Sequence, residues 1–151
     1  MEIENALSEM ENLFLALADK TRLRLLNLMR NDEVCVGDFT EVLGESQPKI
    51  SRHLSYLRNA GVVSARRDGK RINYKIVFPE NICAAEILEN TLLWLKTQAA
   101  LRREYAKLME VRGVEEVFAK FPDAPTSNTF AQSDMNFHHT DPREELPVFL
   151  L

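Results

Sequence analysis

The chain has little of what staples, breaks or embeds a polypeptide. Two cysteines in 151 residues, Cys35 and Cys83, are too few for a disulfide framework. No apolar run approaches the ~20 residues of a membrane span, so no membrane association is expected. The start, Met1-Glu2-Ile3-Glu4, lacks the basic and apolar regions of a secretory signal, and the expected location is the cytoplasm. No phosphate loop, nucleophile elbow or metal-hydrolase motif occurs, so an enzyme is not expected. Four of the six prolines, Pro122, Pro125, Pro142 and Pro147, lie beyond residue 121. Hydrophobic periodicity is lost there too. The organisation this predicts is one domain over 1–121 and a mobile tail over 122–151. Phe130, Phe137, Phe149 and Leu150 in that tail leave room for partial docking.

Hydrophobic residues make up 45% of the chain, enough for a packed core. The net charge of -4 hides a segregation. Residues 1–45 carry 4 basic and 10 acidic groups, residues 46–75 carry 8 basic groups against Asp68 alone, and residues 76–151 carry 7 basic and 12 acidic groups. A compact basic block in an acidic chain is the footprint of a polyanion site. It is also what a solvated charged face looks like, and its structural context decides between the two.

That context is mainly helical. Ile3, Ala6, Leu7, Met10, Leu13, Phe14 and Leu17 recur every three or four positions, predicting a first helix from about Ile3 to Leu17 with one buried stripe. Asp19 is placed to cap a second helix, about Lys20 to Arg30. Val36, Phe39 and Leu43 share a face of a third helix, ended by Gly44. Ser46 is a good N-cap for a fourth, about Ser46 to Ala60, with Pro48 in its first turn and Gly61 at its end. In this helix Ile50, Leu54 and Leu57 face inward, leaving Lys49, Arg52, Ser55 and Arg58 for the other side. Only Gly44-Glu45 separates the third and fourth helices, the spacing of a helix-turn-helix.

Two strand-like runs follow, Val62 to Arg67 and Lys70 to Val77, around Asp68-Gly69. Asp-Gly between such runs signals a hairpin in which both residues tolerate positive φ. Ile72, Tyr74 and Ile76 alternate with Arg71, Asn73 and Lys75, giving one apolar and one basic face. A basic hairpin directly after a helix-turn-helix is a wing.

A long helix, about Glu80 to Arg112, then carries two apolar stripes. Leu88, Leu92, Leu95 and Ala99 form one; Trp94, Leu101, Tyr105 and Leu108 form the other. Its length of roughly 50 Å exceeds what a three-helix core covers. Packing with the first helix against a second subunit solves this; folding back within one chain is the alternative. Gly113 is expected to break this helix, with one or two turns following over Val114 to Phe121. The fold class is thus mainly α with a small β-hairpin wing, a winged helix-turn-helix that dimerises through its first helix and the long helix after the wing.

The stretches LALADKTRLRLLNLM, EVCVGDFTEVLG and SQPKISRHLSYLRNAGVVSARRDGKRINYKI, in unbroken order from Leu15 to Ile76, closely resemble the ArsR/SmtB family of bacterial metal- and metalloid-responsive repressors. The SxxxxSRHLxxLxxAGxV run and the RRxGxxxxY wing carry most of the specificity. The resemblance implies a repressor that binds double-stranded operator DNA as a homodimer and leaves it when an effector binds. A two-fold dimer implies an inverted-repeat operator.

The N-terminal half of a recognition helix enters the major groove, and Gln47, Lys49, Ser51, Arg52 and His53 occupy it here. Gln47 and Arg52 are the candidates for base readout, through bidentate contacts to adenine and guanine. Ser46, Lys49 and Ser51 suit phosphates. His53 is either a DNA contact or a local hydrogen-bonding residue. Arg66, Arg67, Lys70 and Arg71 on the wing can neutralise phosphates or enter the minor groove.

For the sensor, family members that detect soft metals and arsenic often carry CxC at the start of the third helix. This chain has Cys35-Val36-Gly37, without the second thiol. One thiolate is too few for trigonal As(III) or tetrahedral zinc. A Cys35–Cys83 pair could hold a thiophilic two-coordinate ligand such as a methylated arsenical, or form a regulatory disulfide. Otherwise both cysteines are small buried hydrophobes. No cofactor is required; arsenite or another thiophilic species is the candidate effector. The family's second site, built from Asp, His and Glu on the long helix, is not expected, because that helix has Glu86, Glu89, Glu104 and Glu110 but no histidine. His138 and His139, near Asp134, Asp141 and Glu144, are either a metal site or unliganded. The alternative function is a winged-helix regulator without a metal site, controlled by a protein partner or another ligand.

Overall fold

The computed structural model describes residues 2–120, and of 114–119 the backbone alone. The chain divides into two units, Met1–Glu116 and Val117–Leu151. Of the second, only the last residues of a helix, 117–120, are described. The expectations for the 122–151 tail, His138 and His139 included, lie outside the described residues.

The elements run α1 (Glu2–Leu17), α2 (Lys20–Leu28), β1 (Val34–Cys35), α3 (Val36–Leu43), α4 (Gln47–Asn59), β2 (Val63–Asp68), β3 (Arg71–Ile76), α5 (Ile82–Thr97) and α6 (Ala99–Lys120). The helices from α2 to α4 begin and end on local signals. Asp19 caps α2 through its carboxylate, which accepts from the Arg22 N–H at 2.9 Å. Gly44 closes α3 in the left-handed region at φ 65°, its N–H donating to the Thr40 carbonyl at 3.0 Å. That conformation costs other L-residues a clash that glycine avoids. Ser46 stands at the N-cap of α4, but its side chain makes no capping hydrogen bond.

Phe39, Leu25, Leu26, Ile50, Leu54 and Leu57 are fully buried together with Val34 of β1 and Leu13 of α1. Leu88 of α5 and Leu108 of α6 complete the same cluster. The three strands are antiparallel in the order β1-β3-β2, with Val34 opposite Tyr74 and Cys35 opposite Asn73. The sequence reading missed β1. A two-residue strand carries no periodicity and exists only because β3 offers its edge.

The hairpin turn also lies one residue later than expected. Asp68 pairs with Arg71, so the two loop residues are Gly69 and Lys70. Gly69 has φ 59°, and no residue other than glycine has positive φ among the described residues. Positive φ at the first central position alone is the mark of a type II′ turn, whereas Asp-Gly at the centre would have required it at both.

The long helix is two helices. Gln98 is extended (φ -76°, ψ 122°) and ends α5. Side chains take over the carbonyls freed there: Thr97 Oγ1 donates to Trp94 O at 2.6 Å, and Arg102 Nη1 donates to Thr97 O at 3.3 Å. Thr and Gln that bond to local backbone compete with helix continuation. Gly113, by contrast, lies inside α6. A helical glycine costs about 1 kcal/mol relative to alanine, too little to stop a helix.

Polar contacts clasp α6 across the back of α2 and α3. Buried Asn27 donates to Leu101 O at 3.0 Å, and Asn31 donates to the Tyr105 hydroxyl at 2.9 Å. Arg24 Nε reaches Glu104 at 2.8 Å, and Lys107 donates to Val42 O at 3.3 Å. The Arg30 guanidinium stacks 3.7 Å over the Tyr105 ring. At the far end Arg112 donates to Glu33 O at 2.7 Å, with Asp32 and Asp38 carboxylates at 3.7 and 3.9 Å.

The stripe read on α1 as buried is largely uncovered in the single chain. Leu13 and Ala16 are buried, but Ile3, Leu7 and Phe14 are 75%, 64% and 53% exposed. Trp94, assigned to the second stripe of the long helix, is 58% exposed. No helix among the described residues is long and apolar enough to cross a membrane.

Candidate nucleic-acid interface

Helices α3 and α4 and the hairpin form one continuous construction. Ile50, Leu54 and Leu57 anchor α4 from beneath. On a helix of 3.6 residues per turn, position 52 then stands on the opposite side. Arg52 is exposed there, with Ser55 and Asn59 along the same outer strip. Gln47 is exposed at the start of the helix. Both residues singled out for base readout therefore project into solvent from the N-terminal half of α4.

The remaining α4 candidates separate by their surroundings. Lys49 is paired one turn back with Glu45 at 2.9 Å. That hydrogen bond from Lys49 holds the Glu45 carboxyl below its ordinary pKa. Ser46 is exposed and Ser51 half-buried. His53 turns inward: its Nδ1 lies 3.6 Å from an Asp19 carboxylate oxygen, on the α2 side of the helix. Burial opposes ionisation of Asp19, but the Arg22 N–H together with the charges of His53 and Arg22 outweighs it and keeps the carboxyl below its ordinary value.

Arg22 is a residue that sequence reasoning passed over. Its guanidinium donates to Ala16 O at 2.8 Å and Leu15 O at 2.7 Å, closing the end of α1, and lies 4.1 Å over the Tyr56 ring of α4. One side chain thus ties α1, α2 and α4 together. Its partners lie up to 34 positions away, so no local pattern could have shown it.

The wing cations do not share a face. Arg66 pairs with Asn73 and Asp68 with Arg71 across the hairpin, whereas Arg67 pairs with Ile72. Successive strand residues point to opposite sides, so Arg66 and Arg71 lie on one face and Arg67 on the other. Lys70 is at the tip. Arg67 Nε also donates to Gly69 O at 3.1 Å, bracing the turn. Arg66 is bound to Glu33 by two hydrogen bonds, the Nε–Oε2 one at 3.2 Å. This bond from Arg66 pulls the Glu33 carboxyl below its ordinary pKa, and Glu33 in turn raises that of Arg66. The pair fixes the wing to the segment before β1. It too was missed, since 33 positions separate its members.

Cys35 is half-buried at the N-cap of α3, and Cys83 is exposed in the first turn of α5. Cys35 opens onto a small cleft of about 210 Å³ that it shares with Gln47, Lys70 and Arg71. Among the described residues no group of three or more His, Cys, Asp or Glu is placed to hold a metal ion.

A helix-turn-helix followed at once by an antiparallel hairpin, with an outward-facing second helix, defines a winged helix-turn-helix protein. Residues 19–65 match the family model of bacterial regulatory proteins of the arsR family. Over 66 residues the chain is 48% identical to the "probable mercury resistance operon repressor" of Streptomyces lividans, covering 44% of this chain and 53% of that one. It is 42% identical over 78 residues to the arsenical resistance operon repressor of Escherichia coli, covering 51% and 67% respectively. The chain thus spans about half the length of the first relative and two thirds of the second. A homodimeric winged helix-turn-helix DNA-binding domain of Mycobacterium bovis has a similar fold, with a TM-score of 0.51 at 26% identity over 61% of this chain and 82% of that one. This chain belongs to the arsR family. The family is one of transcriptional regulators, not enzymes.

Proposed function

We propose that the protein is a cytoplasmic transcriptional repressor that holds operator DNA as a homodimer and releases it when an effector binds. The observation that carries this reading is the exposed surface of α4, where Arg52 stands opposite the buried Ile50, Leu54 and Leu57 and Gln47 is exposed at the first residue of the helix. Gln47 and Arg52 read base edges in the major groove. Ser46, Lys49 and Ser51 contact phosphate, and Lys49 exchanges Glu45 for it. Arg67, Lys70 and Arg71 of the wing hold the backbone or the minor groove. Arg66 serves chiefly to seat the wing through Glu33, and His53 chiefly to seat α4 against Asp19.

A second copy covers the exposed apolar face of α1, Ile3, Leu7 and Phe14. The homodimeric relative supports this, and contiguous exposed apolar surface of this kind marks an association site. Two such copies address an inverted repeat. The release signal is thiol-reactive, a methylated arsenical or another ligand that two thiolates satisfy, with Cys35 and Cys83 as the ligands. Mercury and arsenical resistance repressors among the relatives support that class.

Binding to operator duplex, followed by fluorescence anisotropy across a salt series, tests the first part. The log–log slope falls by about 0.9 per phosphate neutralised. Release by arsenite, methylarsenite, zinc, cadmium and peroxide, repeated on Cys35→Ser and Cys83→Ser, tests the second. Release that is unaltered in both variants rules out the thiol sensor. A cavity of about 440 Å³ beside the wing favours a second reading, a regulator that answers a ligand without a metal.

A further inference from the structure

Glu33 is a junction. Its carboxylate holds Arg66 of β2, its carbonyl accepts from Arg112 of α6, and the two residues after it form β1 against β3. Beside this junction lies a cavity of about 440 Å³. Clefts of roughly 300–1,000 Å³ are the size that small ligands occupy. Its apolar wall is made by Met29, Ile76, Phe78 and Leu92, and its charged rim includes Glu33, Arg66 and Lys75.

The two walls select a ligand. Phe78 is 49% exposed, and it offers a face for an offset-stacked partner. The cavity is also lined by three cations, Arg30, Arg66 and Lys75, and two carboxylates, Asp32 and Glu33. Arg66 is already engaged by Glu33. Lys75 is exposed and, among the described residues, makes no hydrogen bond or ion pair, acting only by Coulomb attraction on Glu33. The acidic Asp32 is drawn to Arg112, at 3.7 Å. One net positive charge thus remains for an occupant, and the Phe78 ring lines the same cavity.

We propose that this cavity binds a small aromatic monocarboxylate, its ring against Phe78 and Leu92 and its carboxylate on Lys75, contesting Glu33 for Arg66. Occupancy weakens the bond that seats the wing. The site therefore couples a metal-free ligand to the wing position, a consequence that rests on the DNA-binding reading; the binding itself does not.

Equilibrium dialysis of the full chain against 2-naphthoate, with 2-naphthalenemethanol as the uncharged analogue, tests the site without DNA. The expected result is saturable binding of one 2-naphthoate per chain, at least ten-fold tighter than the alcohol. Phe78→Ala and Lys75→Gln should each weaken it at least ten-fold, with Phe78→Leu standing in if the alanine variant loses its wild-type circular dichroism melt. Glu33→Gln, which removes the competitor for Arg66, should tighten binding at least three-fold. Ile82→Ala, an exposed apolar side chain that does not line the cavity, should leave it unchanged. Absence of saturation, equal affinity for the alcohol, or indifference to the Phe78 and Lys75 variants would overturn the site. Unchanged or weaker binding in Glu33→Gln would overturn the competition for Arg66. Failure of operator binding with these results intact would fault the DNA-binding reading alone.

Discussion

The front of the molecule, α2 to β3, and its back, α5 to α6, are built by different means. At the front each turn is dictated by a neighbour in sequence: Asp19 caps α2, Gly44 closes α3, and Gly69 turns the hairpin. At the back the contacts that matter join residues far apart, such as Asn27 to Leu101 and Arg112 to Glu33. The front holds Gln47, Arg52, Ser55 and Asn59 out, above a floor of aliphatic side chains. The back spends its polar side chains inward, on hydrogen bonds to α2, α3 and β1. A surface meant to meet a variable partner is thus supported by local rules, and its support is locked by long-range ones.

Substitutions can break this contrast in graded steps. The largest effect is expected from Leu54→Ala, which empties a fully buried position under the outer face of α4. It should cost about 2–5 kcal/mol of stability, seen in urea denaturation, and should abolish operator binding at growth temperature. Arg52→Ala removes only an exposed group. Operator binding should weaken by about 1–3 kcal/mol with sequence preference relaxed at one position, while the urea midpoint stays put. If stability fell instead, α4 would not separate floor from face as described.

The back responds in the opposite sense. Arg112→Ala strips the donor from Glu33 O and one cation from beside buried Asp38. A loss of about 1–2 kcal/mol of stability is expected, with faster amide exchange in β1 and the first turn of α3. The smallest effect concerns acid. Glu33, Glu45 and Asp19 all have folded pKa values below their ordinary ones. Their contributions are therefore complete above the ordinary carboxylate range, about pH 4, and are lost as pH falls through the folded values. Thermal melts should show Tm dropping over that window, and Glu33→Gln should make the drop shallower.

The same contrast explains what could be read from the sequence. The helix-turn-helix, the wing and the exposed Arg52 were legible because spacing alone places them, and Gln47 is exposed because it opens α4. That His53 lies beside Asp19 could not be read from spacing, because the approach depends on how α2 packs on α4. Beyond that, the sequence misled where two signals competed. Continuous apolar spacing from Leu88 to Leu108 outvoted Thr97-Gln98, whose side chains take over the backbone carbonyls and end α5. Asp68-Gly69 suggested a turn centre, yet the pairing of Asp68 with Arg71 keeps Asp68 in the strand. Nothing local marked β1, Arg22 or the Glu33–Arg66 pair, since each depends on a partner brought in by the fold.

The break at Gln98 divides what would have been one rigid rod into two levers. Because α6 is fastened to the helix-turn-helix and α5 reaches it through an extended residue, a change in the tilt of one need not be copied by the other. Over evolutionary time the surface carried by α5 is then free to drift, acquiring new neighbours, while the frame behind the reading head keeps its alignment.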